Sequence, residues 1–433
     1  MNYFRQVYYE MKHQKMMTWV SISGTALAIF LVMTFFMTEN VKMVEMSPET
    51  NRQKILIGSG GHVLNFTENG EQNGSMAAGL SYKTAKDLYG GLDGVGKESY
   101  QSTWAAPEEV SIKGNRPISL ITKEVDATFW DFYDFKFLYG QPYDRASCDA
   151  GERKVVLTQS SARKLFKEDD VVGRDIKVGD EEYRICGVIE DVDPLLSLTF
   201  SNVYHPFSKS DMDSGEWMGD VAVALLPEDG VDIQHLKDQV KGRYATWNSQ
   251  LSSDHKEAVY HDTPWNIGLW SGGEWVVSED PRPTRSKTTT YLIYGLLLIL
   301  PAINLSSMTK GRLRHRVSEI GVRRAFGAKR ESIVWQLLGE NLIITIAGGI
   351  IGLVICLLFM NMASSFLFQF SSVKFSTALD LLYSTPSMSM LFTWKNFFFA
   401  LAMCLVLNIL SATVPAWRAS RLEPAVAIAK SKN

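Results

Sequence analysis

The chain has 433 residues, with 44 Lys or Arg against 47 Asp or Glu, a net charge of −3 and a mean hydropathy of −0.04. A balance this close to neutrality excludes a strongly basic nucleic-acid binder, and four cysteines at unrelated spacings match no disulfide framework. The near-zero totals hide two opposed regions. Residues 38–287 hold 27 basic and 41 acidic residues, a net −14, and the remainder holds 17 basic and 6 acidic, a net +11.

In chain order, residues 2–15 place Phe4, Val7, Tyr8 and Met11 on one helical face, with Arg5, Lys12 and Lys15 off it. This fits either a helix lying in the headgroup layer or a plain cytoplasmic extension of a spanning helix. Residues 18–37 form the first of four apolar stretches, the others being 288–309 (interrupted by Pro301 and Asn304), 341–360 and 396–417. Each has at least 20 residues, enough at about 1.5 Å rise per residue to cross a hydrocarbon core of roughly 30 Å. The first exceeds a signal peptide's apolar core and lacks a small-residue cleavage site, so it is expected to remain as an anchor.

Residues 38–287 read as a polar domain that alternates strands and helices. Residues 52–57 (strand), 82–89 (helix) and 100–104 (strand) are echoed by 221–226, 231–247 and 257–260, which predicts one subdomain assembled from both flanks. Between them, 109–207 reads as a strand-rich insertion. Its clearest part is 154–193: a strand at 154–157, a helix capped by Thr158 or Ser160 that ends near Phe166, and a hairpin around Gly179-Asp180. Val178, Tyr183 and Ile185 are expected to share its core. Residues 271–287 read as an irregular connection.

Charge sets the topology. Residues 310–330 carry eight Lys or Arg against one Glu, and the segments before the first stretch and after the fourth are also basic. Clustered Lys and Arg stay cytoplasmic, so 1–17, 310–340 and 418–433 are expected inside, and 38–287 and 361–395 outside. The expected fold is a helical membrane protein of four spans, carrying a large external α+β domain of two β-α-β halves with a strand-rich insertion.

Two motifs carry a family resemblance: EIGVRRAFGA at 319–328, and Pro415, Ala416, Arg418, Ala419 and Pro424 after the fourth stretch. With the 154–193 block and the topology, they resemble the MacB/FtsX-type permeases of ABC transporters. The resemblance implies a subunit that pairs with a second copy or a paralogue. A separate cytoplasmic ABC ATPase dimer would bind ATP and magnesium, and this chain would hold no cofactor. It assigns ATPase contact to Glu319, Ile320, Gly321, Val322, Arg323, Arg324, Ala325, Phe326, Gly327 and Ala328. Physically, an apolar ridge flanked by arginines can seat in a partner's groove; the plainer alternative is that these arginines meet anionic lipid headgroups. Gly348, Gly349 and Gly352 form a small-residue ridge for helix packing, either within the chain or across a dimer. Glu340, at the entrance to the third stretch, reads as an interfacial charge.

The resemblance further implies a place in the inner membrane of a bacterium and efflux of peptides or antimicrobials, with a periplasmic adaptor and an outer-membrane duct as further partners. Lipoprotein release and activation of cell-wall hydrolases are the alternatives within the family. A sensory receptor or a membrane-anchored hydrolase are the rivals from other classes. No G-x-S-x-G, H-E-x-x-H or zinc-spaced Cys/His cluster occurs, so no catalytic or metal residue is expected. Residues 91–98 (GLDGVGKE) nearly match a phosphate loop, but Glu98 stands where a hydroxyl would hold magnesium. His255 and His261 read as solvated, and the aromatic group of Trp104, Trp130, Phe132, Tyr133 and Phe135 reads as core or as a partner surface. Cys148 and Cys186 read either as a pair or as separate thiols.

Overall fold

The computed structural model describes residues 15–41 and 43–270 (except 195, 197, 209–211, 213 and 214), then 292, 295, 296, 322, 326, 327, 329–368, 392–403, 405, 406 and 409. Contacts divide the chain into a unit holding the apolar stretches and a polar unit centred on residues 41–283.

In the apolar unit, α1 (Lys15–Val41) contains the apolar run Thr18–Met37. A second long helix, Arg330–Phe368, contains Leu342–Met360. These two are long and apolar enough to cross a membrane. The second helix extends past both expected ends of its span: it begins inside the segment assigned to the cytoplasmic loop and runs into the one assigned to the short external loop. Residues 394–403 are also helical. Most of the expected span at 288–309, the later part of that at 396–417 and nearly all of the N-terminal amphipathic segment lie outside the described residues.

The polar unit begins with β1 (Leu56–Ser59), β2 (Gly61–Phe66), β3 (Gln72–Leu80), α2 (Tyr82–Tyr89) and β4 (Val95–Ser102). Ser81 caps α2, its hydroxyl accepting the Thr84 N–H at 3.2 Å. The next seven strands form a separate sheet: β5 (Ala106–Ser111), β6 (Ile118–Glu124), α3 (Phe129–Phe132), β7 (Phe137–Gly140), α4 (Arg145–Ala150), β8 (Lys154–Thr158), α5 (Gln159–Phe166), β9 (Asp175–Val178), β10 (Glu181–Ile189) and β11 (Val203–His205). The chain then returns to the first sheet through β12 (Met218–Gly219), β13 (Val221–Pro227), α6 (Ile233–Leu251), β14 (Lys256–Ala258), β15 (Trp265–Asn266) and α7 (Ile267–Trp270). The long helix Arg330–Phe368 is α8.

The first sheet runs β14-β2-β3-β13-β1-β15, with β12 on β3 and β4 on β13. Strands from both flanks therefore interleave around β13, which pairs antiparallel with β1 and with β4. Helices α2 and α6 cover its core of Leu80, Leu88, Tyr89, Val223, Leu225, Leu236 and Val240. Strand boundaries differ from expectation. Residues 51–54 form turns instead of starting β1, and β4 begins at Val95, ahead of 100.

The second sheet closes on itself: β10-β8-β11-β6-β5-β9 returns to β10, and β7 takes the rest of β10's second edge. Its interior holds Val155, Leu157, Ala162, Ile176, Val188 and Val203, together with the expected Val178, Tyr183 and Ile185. Gly179, at φ +56°, turns the β9–β10 hairpin. Thr158 stands at the N-cap of α5, but its hydroxyl pairs with Ser161 Oγ at 2.8 Å, and the first-turn Ser160 N–H donates instead to the Asp191 carboxylate at 3.0 Å.

Candidate functional site

Three features bear on function: the seam between the long helices, the point where the chain enters the polar domain, and the junction of that domain's two sheets.

Although α8 is apolar all round, its two faces differ. Ile344, Thr345, Gly348, Gly349, Gly352, Cys356 and Met360 are buried, whereas Leu342, Ile346, Ile350, Val354 and Leu358 are exposed. The buried set recurs every three or four residues and is rich in small side chains, the pattern that lets helices approach without a solvent-driven hydrophobic effect. A Cβ on Gly352 would lie 2.6 Å from the Ala26 carbonyl oxygen, and one on Gly348 would lie 2.7 Å from Thr25 Cβ. Both glycines thus face α1. Gly349 faces the 394–403 helix, where a Cβ would meet Leu401 Cδ1 at 2.8 Å. Around this seam, Phe30 meets Phe359 edge-on at 5.2 Å, and Phe36 meets Phe399 at 5.4 Å. All these contacts lie within one chain.

Of the segment 319–328, Val322, Phe326 and Gly327 are described. Val322 and Phe326 are both exposed, Phe326 at 89 %, and the Phe326 N–H donates to the Val322 carbonyl at 3.0 Å. Glu319, Ile320, Gly321, Arg323, Arg324, Ala325 and Ala328 lie outside the described residues. Glu340 falls within α8.

After α1 the chain is pinned to the closed sheet. Glu49 and Arg52 form an ion pair at 0 % and 1 % exposure. The same carboxylate accepts the Thr199 N–H at 3.0 Å and the Thr199 hydroxyl at 2.8 Å. Beside it, the Pro48 carbonyl accepts the Asp134 N–H at 3.0 Å, the Ser47 hydroxyl donates to the Asp134 carbonyl at 2.8 Å, and the Thr50 hydroxyl donates to the Asp134 carboxylate. A buried ion pair with its remaining acceptor sites filled holds its geometry, because losing either partner strands a charge out of water. Lys123 on β6 is also buried; desolvation pulls its ammonium down to about 8, against the opposing pull of Asp220 and Glu49.

The two sheets meet where Gln101 bridges Val125 and where Tyr100 accepts the Asp126 N–H at 2.9 Å. Asp126 is buried and pushed up to about 6 by desolvation, although Ser99 Oγ, the Phe129 N–H and the Thr128 hydroxyl all donate to it. A cleft of about 180 Å³ opens here, lined by Tyr82, Glu98, Tyr100, Asp126, Arg145 and Cys148 among others. Burial raises Cys148 and Cys186 to about 11, and both are free thiols.

The near-match to a phosphate loop is excluded by order as well as by sequence. Helix α2 precedes it and its second half already lies in β4, the reverse of strand–loop–helix, and the Gly91 N–H is taken by the Glu98 carboxylate at 2.7 Å. Of the aromatic group, Trp130, Phe132, Tyr133 and Phe135 pack as core around Phe129 and Tyr204, whereas Trp104 is half-buried. His261, read as solvated, instead meets His62 with Nδ1 and Nε2 3.1 Å apart. Sequence reasoning missed this pair and the Glu49–Thr199 contact, because the partners lie 199 and 150 residues apart.

Comparison with known proteins gives two family matches: an FtsX-like permease C-terminal region over residues 291–424, and a MacB-like periplasmic core domain over residues 18–243. An uncharacterized ABC transporter permease, YknZ of Bacillus subtilis, is 25% identical over 240 residues, 53% of this chain and 56% of that protein. The macrolide export ATP-binding/permease protein MacB of Escherichia coli K12 is 24% identical over 321 residues, 73% of this chain and 44% of that protein. The matches thus span about half the length of these relatives. Among solved structures, a domain of a permease protein from Porphyromonas gingivalis aligns with 57% of this chain and 99% of its own, at a TM-score of 0.41 and 18% identity.

Proposed function

Because the chain belongs to the MacB/FtsX family of ABC transporter permeases, we propose that it couples ATP hydrolysis in a separate cytoplasmic ABC ATPase dimer to movement of its extracytoplasmic domain. In this reading four spans cross the inner membrane with both termini inside, and two copies, or this chain and a paralogue, work together. Residues 319–328 form the contact with the ATPase, and the work drives efflux of peptides or antimicrobials. An adaptor and an outer-membrane duct would carry cargo onward.

The observation that carries this proposal is the Glu49–Arg52–Thr199 lock. A slack linker after the first span would absorb its displacement. Here Glu49 and Arg52, eight residues and more past the end of α1, are held through buried charge against Thr199 before the chain enters β1, and in this reading displacement of the helix end passes to the domain. In physical terms the ATPase biases a two-state element, and the lock keeps the external domain part of that element. The sequence also carries no ATPase motif of its own.

The test is co-purification in detergent with candidate small ABC ATPases under nucleotide-trapping conditions. Wild type is compared with a Glu319→Lys, Arg323→Glu, Arg324→Glu variant. Capture by wild type and loss in a normally inserted variant is expected. Failure of wild type to capture any ATPase would move the reading to a receptor.

A further inference from the structure

Among the described residues, one edge of β3 is unpaired over most of its length, and the register identifies the groups on it. The His62 carbonyl accepts the Val259 N–H at 2.8 Å, so the backbone groups of His62 point toward β14. Alternation then turns Gly61, Val63 and Asn65 toward β3, opposite Ala78, Met76 and Gly74. Ser75 and Ala77 therefore direct their N–H and C=O groups away from β2. On that side β12 covers only the strand's end, pairing Gly219 with Gly79 and Met218 with Leu80. The approach there is so close that a Cβ on Gly79 would lie 2.4 Å from the Gly219 oxygen. Among the described residues, no strand pairs with residues 72–78 on this edge.

Natural sheets blunt such edges with Lys, Pro, bulges or covering elements. The sequence of β3, QNGSMAAGL, has no charge and no proline, and Ser75, Met76 and Ala77 are exposed on both faces. Seven residues of open edge run for about 24 Å. The surrounding charge is acidic: Glu68 and Glu71 sit in the turn, the first base, Lys83, comes only after the strand ends, and residues 38–287 carry a net −14. A second copy would bring the same negative charge, whereas a basic peptide would be drawn in.

We propose that the free edge of β3 captures an extended cationic peptide segment by strand addition, with the backbone groups of Ser75 and Ala77 supplying the hydrogen bonds and the acidic surroundings supplying the selectivity. The idea deepens the peptide-efflux reading and rests on it only for the peptide's role as cargo. Binding is measured without any ATPase, so the two can fail separately.

The experiment places the full chain in nanodiscs of zwitterionic lipid, with empty discs as the control. It tracks the fluorescence anisotropy of a labelled octapeptide of alternating Lys and Val. Ala77→Pro removes a free-edge donor and leaves the β2 pairing intact, and Ala77→Val keeps the donor. Expected are binding by wild type and Ala77→Val, a loss of at least about fivefold in Ala77→Pro, and no binding of the peptide with Glu in place of Lys. A peptide N-methylated at alternate residues, tested on wild type, gives the same loss without altering the protein. Equal binding of the methylated and unmethylated peptides, or absence of binding to wild type, overturns the proposal. So does a shift of the chain from dimer to monomer on Ala77→Pro with peptide affinity unchanged, which would mark the edge as a contact between copies.

Discussion

Residues 106–205 close six strands into a ring and place a seventh on the remaining edge, whereas the flanking sheet, built from both ends of the same domain, leaves much of one edge of β3 without a partner among the described residues. The closed sheet encloses a core of Val, Leu and Ile and receives the Glu49–Arg52 lock through Thr199. The open sheet carries the long exposed hairpin. Closure removes the backbone edge that invites other chains, and an open edge keeps it available. The comparison therefore separates a closed sheet that anchors the start of the polar domain from a part suited to meeting other molecules.

The largest expected effect breaks that anchor. Either Glu49→Gln or Arg52→Met alone should destabilise the external domain by about 3–5 kcal/mol, since each strands a buried charge. The double variant Glu49→Gln, Arg52→Met should lose less than the sum, as read by denaturant unfolding. Additive losses would show that the two side chains are not one unit. Next, Leu157→Ala inside the ring should cost about 2–5 kcal/mol, while Met76→Ala on the hairpin, at 45 % exposure, should stay within about 0.5 kcal/mol. Similar losses at the two sites would erase the distinction between the sheets.

A pH titration sharpens the same comparison. Lys123 releases its proton near 8 in the folded chain and at 10.5 when unfolded. Between those values the unfolded state binds the extra proton, so stability should rise with pH across the window, by at most about 1.4 kcal/mol per unit. Lys123→Met should flatten this slope, visible as the pH dependence of the unfolding midpoint. The last expected effect lies outside both sheets. Gly352→Leu should force α8 away from Ala26 and cost about 1–3 kcal/mol, seen as a lower thermal midpoint in detergent. The same change at exposed Ile350 should leave the midpoint in place.

Much of this was legible in sequence where hydrophobic period and turn chemistry agree. The helix at 82–89, the strand–helix–hairpin at 154–189 and the shared core of Val178, Tyr183 and Ile185 all carry strong local patterns. Strand β3 carries none. Its Gly, Ala and Ser residues have low strand preference, and exposure on both faces removes the alternation that marks a half-buried strand. The Glu49–Arg52 pair carries no local signal either, since only a fold that brings Thr199 alongside turns it into a buried lock. The residues of the proposed ATPase contact were recognisable as a motif, but a motif names a surface without giving its geometry.

The most direct test of the account reads whether ATP moves the external domain through the lock. Spin labels at exposed Ser75 in the two copies of a reconstituted permease–ATPase complex, measured by pulsed dipolar spectroscopy with and without trapped nucleotide, report that motion as a distance. The account predicts a nucleotide-dependent shift that disappears in Glu49→Gln while ATP hydrolysis continues. A shift unchanged in Glu49→Gln, or no shift in a complex that hydrolyses ATP, would contradict it.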